Sequence, residues 1–317
     1  MSNRRSFIKQ SALASAAIVI PTVAVKAGTH FTKSNMIQQP KISLAQWSMH
    51  KALQKGEVKA TDFAAIAKNK YQINAIEYVN QFYVDQVKNE KFWSQMKMKA
   101  KDEGVQSLLI MVDSEGELGN PNSAERKTAV ENHFKWVNAA KLLGCHSIRV
   151  NAFGQADMDT LKSTLVDGLG QLANYGKKEG INVLIENHGL HTSDASFMTA
   201  IIKEVGNPYL GTLPDFGNWC LNKEWGSTQN NQCTNVYDRY KGVEEFLPFA
   251  KGVSAKTYDF DADGNETIMD YERLLTVVKT SGFDGYIGIE YEGERLSEAE
   301  GITATKQLIE KVWLNLD

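Results

Sequence analysis

Cysteine is scarce, with three residues in 317. Cys145, Cys220 and Cys233 are odd in number and widely spread, which excludes a disulfide framework as the organising device. Cys220 and Cys233 are a pair that an oxidising compartment would permit, but buried or free thiols are the expectation. An excess of charge is also missing: 35 basic residues against 38 acidic ones leave a net charge of −3, so there is no electrostatic footprint for nucleic acid. Nor is there a continuous apolar run long enough to span a bilayer, because the stretch from Ser11 to Val25 is interrupted by Pro21 and followed by Lys26. A Walker-type glycine-rich phosphate loop is absent, and from residue 28 onward no linker or low-complexity tract divides the chain.

What remains is the composition of a globular protein with a large core, 42% hydrophobic and 23% charged. At the N-terminus, Arg4-Arg5-Ser6-Phe7 precedes the modest Ala-rich run, and Ala27 offers a small residue for cleavage. This resembles a twin-arginine export signal. The expectation is a leader over residues 1–27, a single domain over 28–317 and a periplasmic location, with no stable membrane span after processing.

From Ile42 onward, short apolar runs alternate with amphipathic segments. The runs are Ile42–Trp47, Ile73–Val79, Val105–Met111, His146–Asn151, Ile181–Glu186, Leu210–Asp215, Val253–Tyr258 and Tyr286–Glu290. They start roughly 30–40 residues apart, the length of one βα unit. Helical patterns over Ser123–Leu143 and Asp159–Glu179 each end at a glycine just before the next run, as do those at Gly104 and Gly282. Eight such units predict an α/β fold of the (β/α)8 TIM-barrel type. The polar insertion Trp219–Asp238 after the sixth run predicts a loop over the barrel mouth.

In this architecture chemistry sits where strands end on their C-terminal side. Glu186, Asp215 and Glu290 leave the fifth, sixth and eighth runs at matching depth. Carboxylates converging in a half-buried mouth repel one another unless a cation lies among them. A divalent metal with oxygen ligands, Mg2+ or Mn2+, is the usual solution. The alternative is that Lys256, on the seventh run, supplies the charge, but one lysine falls short of three carboxylates.

These residues carry a resemblance. The runs Glu186-Asn187-His188-Gly189, Asp215-Phe216-Gly217-Asn218 and Ile289-Glu290-Tyr291-Glu292-Gly293, with Lys256, resemble the xylose isomerase-like sugar isomerase and epimerase superfamily over the whole chain after the leader. The resemblance implies a metal held by residues on strands five to eight. Here those are Glu186, Asp215 and Glu290, with Ser254 where the family usually presents histidine. Mn2+ or Mg2+ is expected, with Zn2+ or Co2+ as alternatives. Because serine is a poor ligand, a weaker site, a water in the gap, recruitment of His188, or loss of metal and catalysis all stay open. His188, two residues beyond Glu186 and so on the same side, is expected to hydrogen-bond substrate or a ligand; His191 is a weaker candidate.

The resemblance further implies movement of a proton next to a carbonyl through a metal-stabilised enediolate. Glu186 and Glu290 would remove and return the proton, and Lys256 would steady an oxyanion. Trp47, His50, Tyr78, Phe82, Trp219 and Trp225 offer aromatic faces for a sugar. Glu77, Arg149, Asn151 and Asn218 offer hydroxyl contacts. A free sugar or keto-glycoside is expected over a sugar phosphate. The competing readings are a lyase that eliminates the aglycone of a 3-keto-glycoside, a catalytically silent sugar-binding barrel and, disfavoured by charge and the six histidines, an abasic-site endonuclease. Asp259 to Asp270 matches much of a calcium-loop pattern, but a tight turn at Asp263-Gly264 and an N-cap at Asp270 is the favoured reading. Homo-oligomerisation is left open.

Overall fold

The computed structural model describes residues 39–229 and 232–316, so the leader expected at 1–27 lies outside the described residues. Eight parallel strands form one sheet: β1 (Ile42–Ala45), β2 (Ala75–Val79), β3 (Gln106–Val112), β4 (Ser147–Val150), β5 (Asn182–Glu186), β6 (Leu210–Leu213), β7 (Val253–Thr257) and β8 (Ile287–Tyr291). Their order, β6-β5-β4-β3-β2-β1-β8-β7, follows the chain apart from the wrap from β8 to β1. Helices alternate with the strands, as a right-handed βα succession requires. Each of the eight runs read from the sequence corresponds to one strand, although the first ends at Ala45 and turns into a 3-10 helix over Gln46–Met49.

The seam between β6 and β7 closes differently from the rest. It has no ladder, only two parallel bridges, Thr212 to Ala250 and Asp215 to Ser254. Pro214 lies between them and has no amide hydrogen to donate, so a continuous ladder cannot run through it. Its carbonyl still accepts from the Ser254 amide at 2.9 Å, and the Phe216 amide donates to the Ser254 carbonyl at 3.0 Å. That second bridge sets Asp215 beside Ser254.

Strand alternation decides what faces inward. On β5, Leu184 packs in a small cluster inside the barrel with Ala45, Val79, Leu109, Met111 and Leu213; Glu186 shares its parity. On β2, Ile76 and Tyr78 belong to the large core beneath the helices, which leaves Glu77 pointing inward. Gly288 makes room for it, since a Cβ there would lie 2.6 Å from Glu77 Oε1. The long helices Ser123–Leu143 and Met158–Glu179 end at Gly144 and Gly180, whose φ of 89° and 76° suit glycine.

One expectation is corrected. Cys220 and Cys233 are not free thiols but form a disulfide with Cα atoms 5.8 Å apart. They lie on the two limbs of the 219–238 insertion, which the Cys220–Val236 bridge zips together. Cys145 is free and buried.

Candidate active site

Glu186 ends β5, Asp215 follows β6 after Pro214, and Glu290 lies on β8. The three carboxylates converge, each offering an oxygen within 4.8 Å of the others, and all three are buried. Ser254 lies among them: its Oγ is 2.5 Å from Asp215 Oδ2 and 2.8 Å from Glu290 Oε2. A hydroxyl has one proton, so it cannot donate to both. In the absence of a cation, one carboxyl must carry the proton that completes the chain.

The electrostatics pick out which. Burial pushes Asp215 up to about 8, against the opposing pull of Lys256. Glu290 is also buried, but Lys256 and the Ser254 hydrogen bond outweigh that and hold it below the usual carboxylate range. Of the two carboxyls beside Ser254, Asp215 is thus the one whose burial favours the proton, and Glu290 the one favoured as the carboxylate. Glu186 is raised by burial to about 7, in spite of Arg149.

Lys256 is buried and lies 3.7 Å from Asp215, 3.5 Å from Glu290 and 3.3 Å from Glu292. It also donates to Asn218 Oδ1 at 3.2 Å, while Asn218 Nδ2 donates to Glu186 at 3.1 Å. Asn218 thus ties two members of the cluster together. Arg149 on β4 donates to Asp113 at 2.6 Å and places Nε 2.8 Å from Glu186 Oε2. Neither Arg149 Nε nor Glu186 Oε2 is aligned for a hydrogen bond, so this contact is an ion pair that leaves a buried carboxylate lone pair free. Asp113, Glu186, Asp215, Glu290 and Glu292 face two cations, Arg149 and Lys256, and His188 adds none. Burial, then Arg149, pushes the His188 imidazole down to about 3. Its Nδ1 lies 2.7 Å from Asn151 Oδ1, while Asn151 Nδ2 donates to Asp113. The amide oxygen therefore faces the ring and fixes the proton on Nδ1.

The acidic triad can hold a metal ion. It has an oxygen with no hydrogen-bond partner, an excess of buried negative charge, and a donor set of oxygens.

Above the cluster lies a cavity of about 840 Å3 lined by Trp47, Val84, Asp113, Arg149, His188, Trp225, Glu290 and Glu292, among others. Trp47 Nε1 donates to Glu292 at 2.6 Å. Several residues singled out in the sequence lie elsewhere. Trp219, expected at the substrate, is fully buried and packs on Tyr237 and Phe246, because its ring fills the space above Gly242. Tyr78 packs among Phe63 and Tyr83. Glu77 lies inside the barrel, bonded to Ser43 at 2.6 Å. His191 turns to the Ala152 carbonyl, and His50 stacks on Trp47. Asn151 holds Asp113 and His188 in place, from a smaller adjoining recess. The sequence reading missed Asp113 and left Glu292 without a role. Asp113 follows an apolar strand just as Asp215 does, and the same rule applied to β3 would have found it.

Eight βα units closing around strand-end carboxylates define an α/β barrel with its site at the C-terminal mouth. The chain belongs to the xylose isomerase-like TIM barrel family, whose model matches residues 63–314. No curated protein matches it in sequence. Solved structures with the same fold include 3-keto-D-glucoside 4-epimerase from E. coli (TM-score 0.60, 12% identity, covering 86% of this chain and 100% of that one). A D-tagatose 3-epimerase-like protein has a TM-score of 0.62 and 18% identity, with coverage of 86% and 98%. The IolI protein, solved with a bound zinc atom, has a TM-score of 0.63 and 13% identity, with coverage of 86% and 97%.

Proposed function

We propose that this chain is a carbohydrate isomerase or epimerase that moves a proton next to a carbonyl of an unphosphorylated sugar or keto-glycoside. The observation that carries the reading is the convergence of Glu186, Asp215 and Glu290 within 4.8 Å. Glu186, Asp215 and Glu290 would hold a divalent ion, Mn2+ or Mg2+ best suited to oxygen donors and Zn2+ or Co2+ as alternatives. Such an ion would polarise the substrate carbonyl. Ser254 stands where an imidazole ligand would, and its hydroxyl orients Asp215 and Glu290 instead.

Glu290, ionised and at the cavity wall, takes the proton from carbon. Glu186, across the triad from it, returns one, so the two glutamates would act as the acid–base pair. Lys256 stays charged and steadies oxygen on which negative charge develops. His188, neutral with its proton on Nδ1, presents Nε2 as an acceptor for a hydroxyl, and Trp47 offers a ring face to the sugar. Arg149 and Asn218 keep Glu186 in place.

Cavity charge supports an unphosphorylated substrate. Among the described residues five carboxylates line it, and both lining cations are already paired, Lys135 with Glu115 at 2.7 Å and Arg149 with Asp113 at 2.6 Å. The test is deuterium incorporation from heavy water at the carbon beside the carbonyl, in metal-replete protein offered ketoses and keto-glycosides. Incorporation is expected with at least one, and none with any would overturn the reading. The cavity's size also favours a second outcome of the same proton abstraction, elimination of an aglycone; product analysis separates it, because an epimerase releases none.

We also propose that the chain is exported. The Arg4-Arg5 leader motif supports this, as does the Cys220–Cys233 disulfide, since such bonds persist in oxidising compartments. Cell fractionation checks it: the protein is expected in the periplasmic fraction, and retention in the cytoplasm would count against export.

A further inference from the structure

The cavity has two chemically distinct ends. Its floor carries Arg149, His188, Glu290 and Glu292, and its mouth carries two large apolar side chains that are open to solvent, Val84 at 58% and Trp225 at 48% exposure. Its volume of about 840 Å3 lies high in the range of about 300–1,000 Å3 typical of pockets for drug-sized ligands, more than one pyranose ring fills. We infer that Val84 and Trp225 form a second subsite, which takes a neutral, apolar aglycone of a glycoside whose sugar ring sits on the acidic floor. This rests on the carbohydrate reading above.

Trp225 is held in place by several independent features. Its backbone has φ of 66°, a conformation that costs a bulky residue energy. The loop around it leaves little choice. Glu224 bridges to Gly189, the Leu190 amide donates to the Lys223 carbonyl at 3.1 Å, and the Cys220–Cys233 bond joins the two limbs. Gly226 packs so closely that a Cβ there would lie 2.6 Å from the Gly189 amide nitrogen. The indole ring meets His188 edge to face at 5.0 Å and Phe153 at 5.9 Å, so it stands directly beside a residue of the floor. A strained, cross-braced tryptophan that still exposes half its surface is built to meet something.

The occupant follows from continuity and charge. Because the rim and Glu290 line one cavity, whatever covers Trp225 is joined to the ring that Glu290 addresses. An anionic substituent is excluded, since the cations of the cavity are already neutralised and Glu224 adds a further carboxylate at the mouth. An apolar group loses nothing by leaving water for Val84 and the indole face.

The test measures binding of paired phenyl and methyl glycosides of glucose, galactose, mannose and xylose, in both anomers, to the full chain, with cellobiose as a disaccharide control. In at least one pair the phenyl member is expected to bind about tenfold tighter, with Trp225→Ala bringing the two within about twofold. Val84→Asn, at an exposed position that leaves the Trp225 loop untouched, is expected to cut the preference about threefold. Equal binding in every pair, binding in none, or a preference that survives both substitutions overturns the inference. So does cellobiose binding tighter than every phenyl glycoside, which would assign the rim to a second sugar. The deuterium experiment reads the reaction independently, so failure of the subsite and failure of the proposed chemistry are told apart.

Discussion

Two acidic clusters of this chain look alike as sequence and behave oppositely as structure. In the loop after β7, Asp261 Oδ1 accepts from the amides of Asp263 and Asn265 at 2.9 and 2.8 Å, and Asp259 pairs with Arg295 at 2.7 Å. Asp270 accepts from the Arg273 amide at 2.9 Å and caps the helix Tyr271–Thr280. The local backbone uses these oxygens, and hydrogen bonding holds Asp259 and Asp261 below the usual carboxylate range. At the strand ends the opposite holds. Glu186, Asp215 and Glu290 come from three separate βα units, a serine hydroxyl lies between two of them, and one oxygen has no hydrogen-bond partner. Acidic residues close in sequence can be satisfied by the amides of their own turns, whereas acidic residues brought together by a barrel are not. The second kind needs a cation or protons.

The sharpest way to break this comparison is to neutralise one member of each cluster. Glu290→Gln is expected to lower deuterium exchange by about 10²–10⁴-fold, the usual worth of a positioned base, and to reduce bound metal measured by elemental analysis. Asp261→Asn is expected to change neither. Full exchange by the Glu290 variant would remove the strand-end cluster from the chemistry.

Removal of metal separates the clusters by pH. Asp215 at about 8 and Glu186 at about 7 stand above their ordinary 3.8 and 4.5. Between about 4 and 8 the folded chain therefore keeps protons that the unfolded chain has released, and stability falls as pH rises through that window. The lowered Asp259 and Asp261 work the other way, and their contribution is lost only as pH falls below about 4. Metal-stripped protein is thus expected to melt lower at pH 8 than at pH 5.5, by on the order of a few degrees. Added Mn2+ should raise Tm more at pH 8, where fewer protons must be displaced. A Tm that rises with pH in the stripped protein would reverse the comparison.

The same contrast explains what was legible in the sequence. The eight strands were, because burial on both sides of a parallel sheet writes continuous apolar runs such as Leu184-Ile185 and Ile287–Ile289. The triad was legible too, since a strand that ends in a carboxylate after such a run has its direction fixed by alternation. Loop geometry was not. Whether Cys220 meets Cys233 depends on how the 219–238 insertion folds back on itself, and no local pattern encodes that. Trp219 misled for the same reason: a position just past a strand end says nothing about whether the ring turns to the cavity or, as here, into the core over Gly242. Ser254 was flagged by its departure from the family's histidine, but its role as a proton bridge exists only once Asp215 and Glu290 stand on either side of it.

The smallest effect is expected from the loop cluster itself, at Asp270. Its carboxylate satisfies the Arg273 amide, one of the helix's otherwise unpaired donors. Asp270→Ala should cost about 1 kcal/mol of stability, the ordinary worth of an N-cap, read from urea denaturation. Were the loop a calcium site, this position would supply its last ligand, and wild-type protein would gain a calcium-dependent rise in Tm that the variant lacks. We expect no such rise in either: Asp270 serves as the helix cap, and a helix start is all that the substitution weakens.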